Sequence, residues 1–147
     1  MKNNNAKVYI FIAILMGVIL LSMFAGAPKV IESVEEFDFQ NAPTMTECLP
    51  NEKVKEIVYW WGDTPVAISN EGEIAQIVQA MGNVRCIEYT PEELGAGFIC
   101  IELKYETQSL SLYMQTENVS IDGTRYRVND AMSGVIALCR EIAEKNK

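Results

Sequence analysis

Residues 8–27 read VYIFIAILMGVILLSMFAGA, an unbroken apolar run without a single charge. A helix rises about 1.5 Å per residue, so the run spans roughly 30 Å, the hydrocarbon thickness of a bilayer. A surface helix would carry a polar face, and a core helix in so short a chain would be shorter and less uniform. The run therefore reads as a transmembrane helix, and it decides where the rest of the chain resides.

Lys2 and Lys7 precede the run, whereas Lys29 is followed by Glu32, Glu35, Glu36 and Asp38. Cationic flanks stay on the cytoplasmic side, which puts residues 1–7 inside and residues 28–147 outside. Ala25-Gly26-Ala27 offers a small-x-small cleavage site, so a secreted form is the alternative. The run is long for a signal, and Pro28 would sit directly after the cut, so an uncleaved single-pass anchor is the preferred reading. Gly17 and Gly26 do not form a GxxxG pair, which leaves no signal for helix dimerisation in the membrane.

All 20 acidic residues follow the run, with all 12 basic ones except Lys2 and Lys7, so the exterior part carries about −10. Nucleic acid and anionic headgroups both require clustered positive charge, and neither is expected as a partner; the only membrane contact expected is through residues 8–27. The chain has no histidine. That removes the usual general base, the usual zinc ligand and the Ser-His-Asp and Cys-His arrangements together. No cofactor, metal or catalytic residue is expected, and the chain reads as non-enzymatic.

Residues 28–55 resemble an acidic stalk punctuated by Pro28, Pro43 and Pro50, with Val30, Ile31, Val34 and Phe37 at helical spacing. The folded domain is expected over residues 56–147. Ile57 to Trp61 is β-branched and aromatic, hence a strand, and Pro65 to Ile68 makes a second short one. Asn70 followed by Glu73 resembles a capping box, and Ile74, Ile77, Val78 and Met81 form one face of a helix ending at Gly82-Asn83. Val84–Tyr89, Phe98–Tyr105, Ser109–Gln115, Val119–Ile121 and Thr124–Val128 read as strands, with a type I′ turn at Asp122-Gly123. A final helix beginning after Asn129 or Asp130 buries Met132, Val135, Ile136, Cys139 and Ile142.

Register tests this layout, because a turn fixes which residues oppose each other. A turn centred between Thr107 and Gln108 pairs Leu103 with Leu112 and Ile101 with Met114. The next turn pairs Met114 with Val119 and Leu112 with Ile121, and the last pairs Val119 with Tyr126. Every pair is apolar. The opposite face then carries Glu102, Lys104, Ser109, Ser111, Tyr113, Ser120, Arg125 and Arg127. The fold class is α+β: a membrane helix followed by a two-layer domain, its sheet mostly antiparallel with two helices on one face.

Four cysteines, Cys48, Cys86, Cys100 and Cys139, contain no C-x-x-C spacing. A simple hairpin between the strands at 84–89 and 98–105 sets Cys86 opposite Cys100 on the polar face, which makes them the disulfide candidates. Cys139 reads as a small apolar filler of its helix. A reactive cysteine would need a base or cation to lower its pKa, and none is in place by sequence.

If the strand at 57–61 turns Trp60 to the polar face, then Trp60, Tyr113, Arg125 and Arg127 form an aromatic and basic patch suited to a protein or cell-envelope partner. The competing reading is that they only cover sheet surface and support cross-strand pairs. The function expected is a membrane-anchored extracytoplasmic domain that contacts a protein or the envelope through its open sheet face. The alternative is a sensor or small-ligand binder, with the ligand between sheet and helices or in the Pro91–Gly97 loop.

Overall fold

The structure is a computed structural model that describes residues 37–90 and 97–147, with the backbone alone at Trp61. The chain divides into Met1–Glu35 and Glu36–Lys147. The expected anchor at 8–27, the first part of the expected stalk and most of the Pro91–Gly97 loop lie outside the described residues. Among the described residues no helix is long and apolar enough to cross a membrane.

The described residues of the unit Glu36–Lys147 form two helices and one seven-stranded antiparallel sheet, a two-layer α+β arrangement. The strands are β1 (Glu56–Trp61), β2 (Thr64–Ile68), β3 (Cys86–Glu88), β4 (Ile99–Lys104), β5 (Ser109–Met114), β6 (Asn118–Ile121) and β7 (Thr124–Val128). The helices are α1 (Glu71–Met81) and α2 (Ala131–Lys145), with a 3-10 turn at Met45–Cys48. Across the sheet the strands run β2-β1-β4-β5-β6-β7-β3.

Local chemistry accounts for the elements. The Asn70 side chain accepts from the Gly72 and Glu73 N–H groups at 2.9 and 3.1 Å, closing the exposed start of α1. Gly62, with φ +60°, turns β1 into β2 in a conformation that a side chain would strain. Asp122 and Gly123 both have positive φ, 48° and 80°, as a type I′ turn demands. Alternation then puts Ile57, Ile101, Leu103, Leu112 and Met114 on one face, all fully buried against Ile77 and Met81 of α1 and Met132 and Val135 of α2. Each such side chain contributes about 1.5–3 kcal/mol by burial, enough in sum to hold the two layers together.

Two of the three expected turns have the expected register: Met114 pairs with Val119, Leu112 with Ile121 and Val119 with Tyr126. The β4–β5 register differs. Ile101 pairs with Leu112 and Leu103 with Leu110, because the chain turns over Glu106-Thr107 and closes with Tyr105 N–H on the Gln108 carbonyl at 2.9 Å. A shift of two residues keeps every side chain on its face, so hydrophobic pattern alone does not tell the registers apart.

The expected stalk is also corrected over 37–55, which belongs to the folded unit. Met45 is fully buried and Val54 nearly so. Glu52 accepts from Gln108 at 3.2 Å, and Lys55 N–H bonds the Lys104 carbonyl at 2.8 Å, so this stretch is fastened to the end of the sheet.

Candidate functional site

One row crosses the sheet on the face away from the helices. Trp60 pairs with Cys100, Cys100 with Tyr113, Tyr113 with Ser120, and Ser120 with Arg125. Trp60 is 40% exposed and Tyr113 42%. Phe98, just before β4, is 52% exposed and meets the Tyr113 ring edge-on, with centroids 5.3 Å apart. These three rings are the large hydrophobic side chains left most open among the described residues, and they share one end of one face. An aromatic cluster open to water on a sheet whose other face is packed is a surface suited to a partner.

The other half of the same face is occupied from within. Phe37 packs edge-on against Tyr89 at 6.0 Å, and the Arg127 guanidinium lies 5.7 Å from the Phe37 ring centroid. Arg127 also pairs with Glu117 at 2.6 Å, while the Tyr89 hydroxyl donates to the Asn118 side chain. Ser120, midway along the row, is 7% exposed. Phe37 thus packs over the Tyr89 and Arg127 side of this face, whereas Trp60, Phe98 and Tyr113 stay exposed.

The four expected patch residues therefore share a face but not a site. Trp60 and Arg125 sit four strand steps apart, about 19 Å at the usual strand spacing, and Arg127 already serves an internal cluster. Phe98 is the member that pattern reading missed. It shares alternation parity with Cys100 and Glu102, so the signal was present one residue before the strand begins. Asn118, in the Asn118-Val119-Ser120 sequon, has its side chain bonded to Tyr89 and Arg127.

The expected Cys86–Cys100 disulfide is corrected by the topology. β3 pairs with β7 at the sheet edge, where Cys86 opposes Val128, and β4 lies between β1 and β5. Three strands separate the two cysteines, and they face opposite sides: Cys86 is fully buried in the core and Cys100 is half-buried on the open face. All four thiols are held protonated. Burial pushes Cys86 and Cys139 up to about 12, and burial, reinforced by the Glu102 charge, raises Cys100. Burial also raises Cys48, and its hydrogen bond to Cys86 offsets part of the rise.

A second feature lies at the far end of the helical layer. A cleft of about 420 Å³ opens between the 46–54 segment and α1, lined by Thr46, Leu49, Pro50, Glu52, Val78 and Tyr105. Tyr105 is 7% exposed, and its hydroxyl has no hydrogen-bond partner among the described residues. Burial, with the Glu52 charge nearby, raises its pKa and keeps that hydroxyl a donor. Leaving such a group unpaired costs about 1–3 kcal/mol.

Among the described residues no three cysteine or acidic side chains gather as a metal site would require. No family model, curated protein or solved structure matches this chain.

Proposed function

We propose that the chain is a single-pass membrane protein with a cytoplasmic N-terminus, whose exterior α+β domain captures a protein or envelope partner on the aromatic half of its open sheet face. The observation that carries this reading is the cluster of Trp60, Tyr113 and Phe98, exposed together while Arg127 on the same face stacks on the chain's own Phe37. Aromatic rings supply large contact area at low entropic cost and dominate binding where they cluster. The apolar run at 8–27 supports the placement, and the missing histidine supports a role without catalysis.

Two experiments test it. A reporter fused after Lys147 should be active only outside the cytoplasm; activity only in the cytosol overturns the placement. Full-length chain carrying both Trp60→Ala and Tyr113→Ala should lose partner capture in membranes after crosslinking, while Arg125→Ala retains most of it. Undiminished capture by the double variant overturns the assignment of the face.

The Tyr105 cleft favours a second reading, a small-ligand sensor. A ligand bound only by the native state raises the melting temperature by mass action. A compound that raises it in the parent chain and not in Tyr105→Phe supports this reading; equal shifts in both remove the cleft from it.

A further inference from the structure

Residues 43–45 run along the outer edge of β3. The Cys86 N–H donates to the Pro43 carbonyl at 2.9 Å, and the Met45 N–H donates to the Val84 carbonyl at 2.7 Å, with Thr44 opposite Arg85. The chain then winds into the 3-10 turn, which is held by a reciprocal cap: Thr44 N–H donates to the Glu47 carboxylate at 2.6 Å, and Glu47 N–H to the Thr44 hydroxyl at 3.3 Å. Cys48 ends that turn. Cys48 packs against the core cluster that holds Cys86, close enough that each thiol shifts the ionisation of the other. Cys86 is fully buried and Cys48 is half-buried, packed against the same core.

We propose that Cys48 and Cys86 are a disulfide pair that staples the segment entering the domain to the edge strand of the sheet. The N–H of Cys86 is bonded to the Pro43 carbonyl, and Cys48 ends the 3-10 turn that begins two residues after Pro43, so the two cysteines sit on adjoining stretches. Closing the bond to the S–S distance of about 2.0 Å is then a local adjustment of this turn and the two side chains. Cys100 lies on the opposite face and Cys139 within the buried stripe of α2, so neither competes by position.

The chemistry is thiol–disulfide exchange with a disulfide oxidant such as oxidised glutathione. The half-buried Cys48 thiolate attacks one sulfur, forms a mixed disulfide and expels one glutathione thiolate. Cys86 then loses its proton and attacks the Cys48 sulfur, expelling the second. Two protein thiols are oxidised, one glutathione disulfide is reduced to two thiols, and the two protons released by the protein end on the leaving groups. Burial holds Cys86 up to about 12 and also raises Cys48, so both steps speed up with rising pH. The capacity to form the bond is a property of the domain, whereas its presence in cells rests on the exterior placement proposed above.

The test uses full-length chain in detergent micelles, incubated with oxidised glutathione at mildly alkaline pH, then acid-quenched, alkylated and mapped by mass spectrometry. A Cys100→Ser background leaves one thiol in the tryptic peptide that starts at Cys86. The expected result is a linked pair of peptides carrying Cys48 and Cys86, alkylated Cys139, and a melting temperature raised by about 10 °C. Cys48→Ser, which removes the more exposed partner, should abolish both the linkage and the rise. Alkylated Cys48 and Cys86 after oxidation, or a linkage of Cys48 to Cys139, overturns the pair. Thiol trapping in intact cells separates the two layers: an oxidised pair supports staple and placement, whereas a pair that closes in micelles but stays reduced in cells supports the staple and overturns the exterior placement.

Discussion

Trp60 and Tyr113 stand two strands apart on one row of the open face, with Cys100 between them, and both rings remain about two-fifths exposed. Neither side chain fills the core. Single replacement by Ala should therefore cost no more than about 1 kcal/mol of stability. If these rings anchor a partner, the same changes should weaken capture tenfold or more, the scale of a hot-spot residue. Denaturant midpoints read beside binding curves separate the two effects. A large loss of stability would show that the rings serve the fold.

Arg127 predicts the reverse pattern. Its guanidinium serves Glu117 and the Phe37 ring together, both partly exposed, so each contact is worth about 0–1 kcal/mol. Arg127→Ala should lower stability by about 1 kcal/mol and leave capture unchanged. A double-mutant cycle with Phe37→Ala should return a favourable coupling; a cycle that sums to zero would show that the stacking contributes nothing.

Tyr105→Phe removes the orphaned hydroxyl and keeps the buried ring. With the cleft empty, the variant should be as stable as the parent or more stable by up to about 1 kcal/mol, because an unpaired buried donor is lost. A loss of more than about 1 kcal/mol in a thermal melt would mean that the hydroxyl already has a strong partner.

Glu47 links the 3-10 turn to pH. Hydrogen bonds from the Thr44 backbone and hydroxyl hold its carboxyl below the ordinary value of 4.5. A carboxyl whose folded pKa is depressed contributes stability that is complete above its unfolded value and is lost as pH falls through the lower folded value. Glu47→Gln should therefore melt below the parent at neutral pH, and the gap should narrow once the pH drops under 4.5. A gap that persists unchanged in acid would assign the effect to shape and not to charge.

Much of the architecture was legible because it depends on parity and period. The α1 stripe and its Asn70 cap, the Asp122-Gly123 turn and the division of the sheet into apolar and polar faces all follow from side-chain spacing. Parity is blind to a shift of two, which is why the β4–β5 register slipped at a turn with no Gly or Asn to mark it. Strand order is a long-range property. Nothing local to Cys86 says that its strand pairs with Val128 and not with its sequence neighbour. Residues 37–55 hid their burial for a related reason: Met45 and Val54 are isolated apolar positions without a period, each recruited by contacts distant in sequence. At the site, Trp60 and Tyr113 were readable by alternation. The capture of Arg127 by Phe37 was not, because it joins the entering segment to the last strand.

A photo-crosslinking residue at Ser111, exposed on the open face beside the aromatic cluster, tests the central claim most directly when compared with one at Glu144 on the exposed side of α2. Both are introduced into full-length chain in intact cells. The predicted result is a discrete adduct from position 111 alone, which disappears when Trp60→Ala and Tyr113→Ala are added. Identical adducts from both positions, or an adduct at 111 that survives the double variant, would contradict it.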